Sequence, residues 1–198
     1  MIKKSPIFIK NFEIKGKSLT IVLVFIAMIA GSQIPAEKME KELIEVKKEI
    51  DEQASYIRGG LENKDDYISE FQKKVSIEFT VDTFKIERLC SKRMELDFST
   101  AGTVQAISAL NSDYDKLLNK YYKMLNTRLL TPDQAILKQS QSNWIAFRDS
   151  EIKLICTLRA DEYSGGGTIQ RIFQASYVME LTKKRVLDIV TYLYDIAD

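Results

Sequence analysis

The chain has 198 residues, with 29 basic and 28 acidic side chains, 45% hydrophobic residues, only 8 Gly and 3 Pro, and no histidine. So few turn formers exclude an all-β sandwich and suit one helical domain with an N-terminal appendage. The missing histidine removes the commonest general base and the commonest catalytic metal ligand.

Residues 1–36 read as an export segment, either a signal peptide or a signal anchor. Lys3, Lys4, Lys10, Lys15 and Lys17 precede Leu19 to Gly31 (LTIVLVFIAMIAG), which holds no charge. About a dozen residues make roughly 20 Å of helix, the length of a signal-peptide core. Counting on to Ala36 stretches this to a marginal span, so residues 19–36 can also serve as a membrane anchor. The leading lysines hold the N-terminus inside and send the rest outward, to the periplasm or cell envelope. Ile29-Ala30-Gly31-Ser32 has the look of a lipoprotein box, but Ser32 stands where the lipid-accepting Cys would have to be. Without this segment, 24 of the 29 basic and 27 of the 28 acidic groups remain, a net of −3. That balance gives no footprint for nucleic acid and mildly favours a basic partner.

Residues 37–81 are expected to be a charged helix and a connector. Met39, Leu43, Val46, Ile50, Ala54 and Ile57 form a narrow heptad-like stripe that Gly59-Gly60 ends. Such a helix can act as a stalk, lie against the domain or pair with another copy. Lys64-Asp65-Asp66 suggests a short helix through Lys74, and the alternation of Val75, Ile77, Phe79 and Val81 suggests a strand.

Residues 82–198 are expected to fold as an all-α antiparallel bundle. Asp82 is an N-cap candidate for a helix carrying Phe84, Ile86, Leu89, Cys90 and Met94. Ser99 or Thr100 caps the next, which runs through Ala106, Leu110, Tyr114, Leu117, Leu118, Tyr121 and Leu125 to about Leu129. Thr131-Pro132-Asp133-Gln134 reads as a capping box with Thr131 as N-cap, opening a helix to about Ala160. Gly165-Gly166-Gly167 breaks the chain, and Thr168 caps a last helix to the C-terminus.

The chemistry is mostly absences. There is no phosphate-binding glycine loop, because Gly165 to Gly167 has no lysine after it and no buried-strand pattern before it. Two cysteines cannot make a structural zinc site alone. Nothing implies a cofactor, a metal or a catalytic residue, and no pair of carboxylates is singled out for acid–base work, so a cell-wall hydrolase is the weakest of the functional readings. Cys90 and Cys156 invite a disulfide in an oxidising compartment, closing a loop of about 66 residues; two buried free thiols are the alternative.

Two stretches stand out. In Ser140 to Glu151, helical spacing puts Trp144, Phe147, Arg148 and Glu151 on one face, with Asp149 beside them. This reads as a core aromatic with an Arg–Glu pair, or pairs to neighbouring helices, fixing helix register; a surface patch is the other reading. The second stretch is Glu162-Tyr163-Ser164-Gly165-Gly166-Gly167-Thr168, either a tight helix connection or an exposed recognition loop.

These stretches carry a resemblance. SQSNWIAFRDSE, then YSGGGT, then Leu181-Thr182-Lys183-Lys184-Arg185, with Leu110-Asn111-Ser112-Asp113-Tyr114 upstream, resemble the signature of the LprI-like family (lysozyme inhibitor LprI N-terminal-like domain) over about residues 82–192. Ile152 and Ser176 stand where that family has cysteines, so the resemblance implies a Cys90–Cys156 bridge as a shifted version of its linkage. It implies a small envelope-attached helical domain without catalytic residues, binding a lysozyme-type glycosidase or another envelope protein. Glu162 to Thr168 is then the candidate plug for the enzyme's cleft. The competing expectation is a structural or interaction module of the envelope with no inhibitory activity.

Overall fold

The computed structural model describes residues 36–63 and 69–196. The export segment and the helix start expected at Lys64 lie outside the described residues, except for Ala36. Among the described residues the architecture is all-α, with six helices: α1 Ala36–Glu62, α2 Glu70–Leu96, α3 Thr100–Arg128, α4 Thr131–Leu158, the short α5 Asp161–Ser164 and α6 Ile169–Asp195.

The core forms where α3 and α6 pack along their lengths. Ala106, Leu110, Tyr114, Leu118, Tyr121 and Leu125 of α3 meet Met179, Val186, Ile189, Val190 and Leu193 of α6 in one buried cluster. Each aliphatic side chain so enclosed contributes about 1.5–3 kcal/mol. Directions follow from cross-helix contacts. Near the start of α2, Phe71 lies under the Arg128 guanidinium of α3, and Gln72 Nε2 donates to the Tyr194 carbonyl of α6. Further on, Glu87 meets both Tyr114 and Lys183. Both α3 and α6 therefore run antiparallel to α2 and parallel to each other, and α4 with α5 returns the chain between them.

The expected strand at 75–81 is helix. Val75 belongs to the central cluster, whereas Ile77 and Val81 are buried outside it. With α1 on one side and α3 and α6 on the other, α2 is enclosed on two faces, and two apolar stripes on one helix imitate alternation. The start of α2 is also corrected. Asp82 lies in mid-helix, and the N-cap is Ser69, whose Oγ accepts from Gln72 N while Ser69 N donates to Gln72 Oε1, both at 3.2 Å.

Gly59-Gly60 does not end α1, which continues to Glu62, with Asn63 Nδ2 bonded to the Gly59 carbonyl at 2.8 Å. Packing of Ile50 and Ala54 and the Lys85–Asp51 ion pair at 2.7 Å hold α1 along α2, outweighing a glycine penalty of about 1 kcal/mol each. The box expected at Thr131 is not formed. Leu130 occupies the N-cap without a side-chain bond, and Gln134 Nε2 turns back to the Asn126 and Leu129 carbonyls, closing the end of α3. Ser99 does cap α3, its Oγ accepting from Gly102 N at 3.0 Å.

Candidate binding surface

Family-like residues of α4 and α6 meet in one seam, which Asp115 of α3 borders. Arg185 is only 6% exposed; its Nε donates to Gln141 Oε1 at 3.0 Å and its Nη2 to Ser140 Oγ at 3.2 Å. Trp144 is half-buried against the core, with the Arg185 guanidinium 5.9 Å and the Arg148 guanidinium 5.3 Å from its ring centre. Arg148 chelates Asp149 through Nε and Nη2 at 3.1 and 2.9 Å and approaches Asp115 of α3 at 3.9 Å. Its partner is thus not Glu151, which pairs with no described cation. Phe147 points outward and is 51% exposed, so it does not share the buried face with Trp144. The cluster ties α3, α4 and α6 together, without the Arg148–Glu151 pair that helical spacing suggests.

The two cysteines are free. Cys90 is enclosed between α2 and α3, its thiol donating to the Ala106 carbonyl at 3.5 Å. Cys156 is exposed on α4, accepting from Gln174 Nε2 of α6 at 2.9 Å. The expected bridge is not formed, because the two thiols face different helix seams. Burial pushes the Cys90 thiol up to about 11, with Arg93 opposing and Glu87 and Asp113 adding to the rise.

Sequence reasoning missed two tyrosine–carboxylate networks. Glu87 accepts from Tyr114 Oη and from Lys183 Nζ, the latter at 2.8 Å. Asp82 accepts from Tyr121 Oη at 2.8 Å and Lys120 Nζ at 2.7 Å, and Glu78 also faces Lys120, at 3.0 Å. Burial, then the neighbouring carboxylate, raises the titration of both tyrosines. For Lys120, burial alone would lower the pKa, but bonds to Asp82 and Glu78 leave it raised. The one signal was tyrosine within a core stripe, since a buried phenol needs a partner. These carboxylates are spent on internal bonds.

The second stretch is an exposed, internally braced loop. Glu162 and Tyr163 lie in α5, and Tyr163 is 67% exposed. Gly165, Gly166 and Gly167 all have positive φ, at 76°, 80° and 92°, which L side chains rarely adopt. Gly165 N donates to the Asp161 carbonyl, Gly166 N to Ser164 Oγ, and Ser164 Oγ to the Arg159 carbonyl, each at 3.1 Å. Arg159 Nη1 reaches Gln170 Oε1 at 3.2 Å across the loop's base, and its guanidinium lies 5.2 Å from the Phe173 ring centre. Thr168 takes the N-cap position of α6, but its side chain makes no cap bond. Among the described residues, the backbone N–H groups of Gly167, Thr168 and Ile169 donate no hydrogen bond, leaving three neighbouring donors at the positive end of a 27-residue helix.

The family model described as "Lysozyme inhibitor LprI" matches residues 90–189. No curated protein and no solved structure matches the chain. The match spans half the chain and contains the Trp144–Arg185 cluster and the glycine loop; the chain belongs to the LprI family.

Proposed function

We propose that this LprI-family chain is an exported cell-envelope protein that binds a lysozyme-type peptidoglycan hydrolase and obstructs its cleft with residues Glu162–Thr168. The observation that carries the proposal is the braced loop. Its hydrogen bonds hold a conformation that only glycine adopts readily, while Tyr163 and the donors at Gly167, Thr168 and Ile169 stay free. Lysozyme-type glycosidases work with two cleft carboxylates. Unpaired backbone donors at a helix N-terminus suit carboxylates, and a loop already ordered loses little entropy on binding. The protein acts as a plug and needs no chemistry of its own. Export, with the N-terminal segment cleaved or kept as an anchor, places it where such enzymes act.

The test is lysis of peptidoglycan by several lysozymes in the presence of the full chain. Slowed lysis is expected, with inhibition weakened at least tenfold by Tyr163→Ala combined with Gly167→Val, since hot-spot residues carry most of an interface's affinity. No effect of the unaltered protein on any of the enzymes at micromolar concentration sinks the proposal.

A further inference from the structure

The direction of α1 fixes the end of the bundle from which the described chain starts. Lys85 Nζ of α2 pairs with Asp51 of α1 at 2.7 Å, and further along Lys41, Ile44 and Val46 line one groove with Lys92 and Leu96. Helix α1 therefore runs antiparallel to α2, and hence parallel to α6. From Asp51 back to Ala36, α1 covers about 22 Å. From Lys183, which meets α2 at Glu87, back to Ile169, α6 covers about 21 Å. Both distances run toward the same end and start from nearly the same level of α2. Ala36 and the glycine loop thus occupy one end of the bundle, on two helices that both pack on α2, roughly 20 Å apart.

Chain length limits how far that end can stand from a membrane. Gly31, the last residue of the uncharged run, is five residues before Ala36, at most about 18 Å of extended chain. The headgroup layer of a bilayer takes up about 6 Å of it. A folded domain of about 100 residues has a radius of gyration of about 13 Å and is roughly 33 Å across. When the apolar run is kept in a membrane, the gap beside the loop is therefore too narrow for an enzyme to enter. We infer that a retained export segment masks the loop, and that cutting the chain ahead of α1 turns the inhibitor on. The cut is hydrolysis of one peptide bond, water supplying the new carboxylate and amine ends. Ala30-Gly31-Ser32 offers the small residues that a signal-type peptidase requires. This inference rests on the glycosidase reading above and adds regulation of the same loop: the anchored chain is the stored form and the released chain the working one. Masking is steric, so apparent affinity falls with the fraction of orientations in which the loop clears the lipid.

The experiment places the full chain, with a specific protease site inserted between Ser32 and Gln33, in uncharged phosphatidylcholine vesicles. Labelling of exposed Cys156 by an impermeant thiol reagent counts the outward-facing copies. A lysozyme cleaving a soluble peptidoglycan fragment reports inhibition before and after the cut, with circular dichroism confirming equal helicity. A second variant carries about 40 Gly and Ser residues at the same point, a tether of roughly 35 Å. The intact chain is expected to inhibit at least tenfold more weakly than the cut chain, and the long-tethered chain to match the cut one without cleavage. If the intact chain on vesicles inhibits as strongly as the cut chain, the inference is overturned while the glycosidase reading stands. A gain on cutting that the long tether does not reproduce overturns it too, because distance from the lipid is then not the cause. If the cut chain does not inhibit, the glycosidase reading fails and the inference falls with it.

Discussion

Arg185 is buried on α6, yet its hydrogen-bond partners are neutral: it donates to Gln141 Oε1 at 3.0 Å and Ser140 Oγ at 3.2 Å on α4, with the Trp144 ring 5.9 Å away. A buried guanidinium held this way is exacting, because any acceptor removed leaves a desolvated donor. Gln141→Ala should therefore destabilise the fold by about 1–3 kcal/mol. In an Arg185→Met background the same change should cost much less, a coupling of about 1–2 kcal/mol. Urea unfolding followed by fluorescence of Trp144, the sole tryptophan, measures the cycle. A coupling indistinguishable from zero would show that the pair does not fasten α4 to α6.

Gly102 has a packing reason to be glycine. A Cβ there would lie 2.1 Å from Asp97 Cγ and 2.6 Å from its Cβ, while Asp97 Oδ1 is committed to Ser99 N at 2.9 Å. Gly102→Ala should cost about 1–3 kcal/mol through this overlap. Asp97→Ala/Gly102→Ala should recover part of the loss, although the double variant carries one substitution more. Thermal melts of the three variants decide it; additive losses in the double variant would contradict the steric account.

The two thiols should behave unlike each other. Native protein treated with an aromatic disulfide reagent should release one equivalent rapidly, from exposed Cys156, and a second only after unfolding, from Cys90. Reductant should leave Tm unchanged, since there is no bridge to break. A fall in Tm with reductant, or zero reactive thiols in the native state, would restore the bridge expected from the sequence.

Alkaline pH should weaken the fold in two stages. Cys90 is raised from 9.0 to about 11, so its contribution is complete below pH 9 and is lost as pH rises through 11, on the order of 2 kcal/mol in all. Tyr114 and Tyr121 are also raised above their ordinary value of 10.0, so they add a second loss that begins near pH 10. Denaturant midpoints from pH 8 to 11 should therefore fall, and Cys90→Ala should flatten the segment between 9 and 10. An unchanged slope in that variant would remove the thiol from the account.

Much of the architecture is legible because its signals are local. The apolar stripe of α3, the Ser99 cap and the glycine break after α5 depend on residues within a turn or two of each other, and each appears where the sequence puts it. The misreadings occur where a second helix intervenes. Alternation at Val75–Val81 is the imprint of two partners on α2, and Gln134 serves the end of α3 instead of its own helix start. Ser69-Glu70-Phe71-Gln72 is a capping box readable in the sequence, but a helix expected from Lys64 through Lys74 puts Ser69 in its middle instead of at a start.

The candidate surface divides in the same way. By itself the sequence determined that the chain is helical and that a triple glycine interrupts it before the last helix, since these follow from composition and backbone sterics; that Trp144, Arg148 and Arg185 belong to one pattern was implied only by the family resemblance. Only the tertiary structure decided that Arg148 turns to Asp149 and Asp115, that Cys90 and Cys156 are separate thiols, and that Leu154, Leu158, Ile169 and Phe173 remain on the outside. Those outcomes depend on which face of a helix another helix covers. Burial is a property of the assembled bundle, and helical periodicity states only which residues will share its fate.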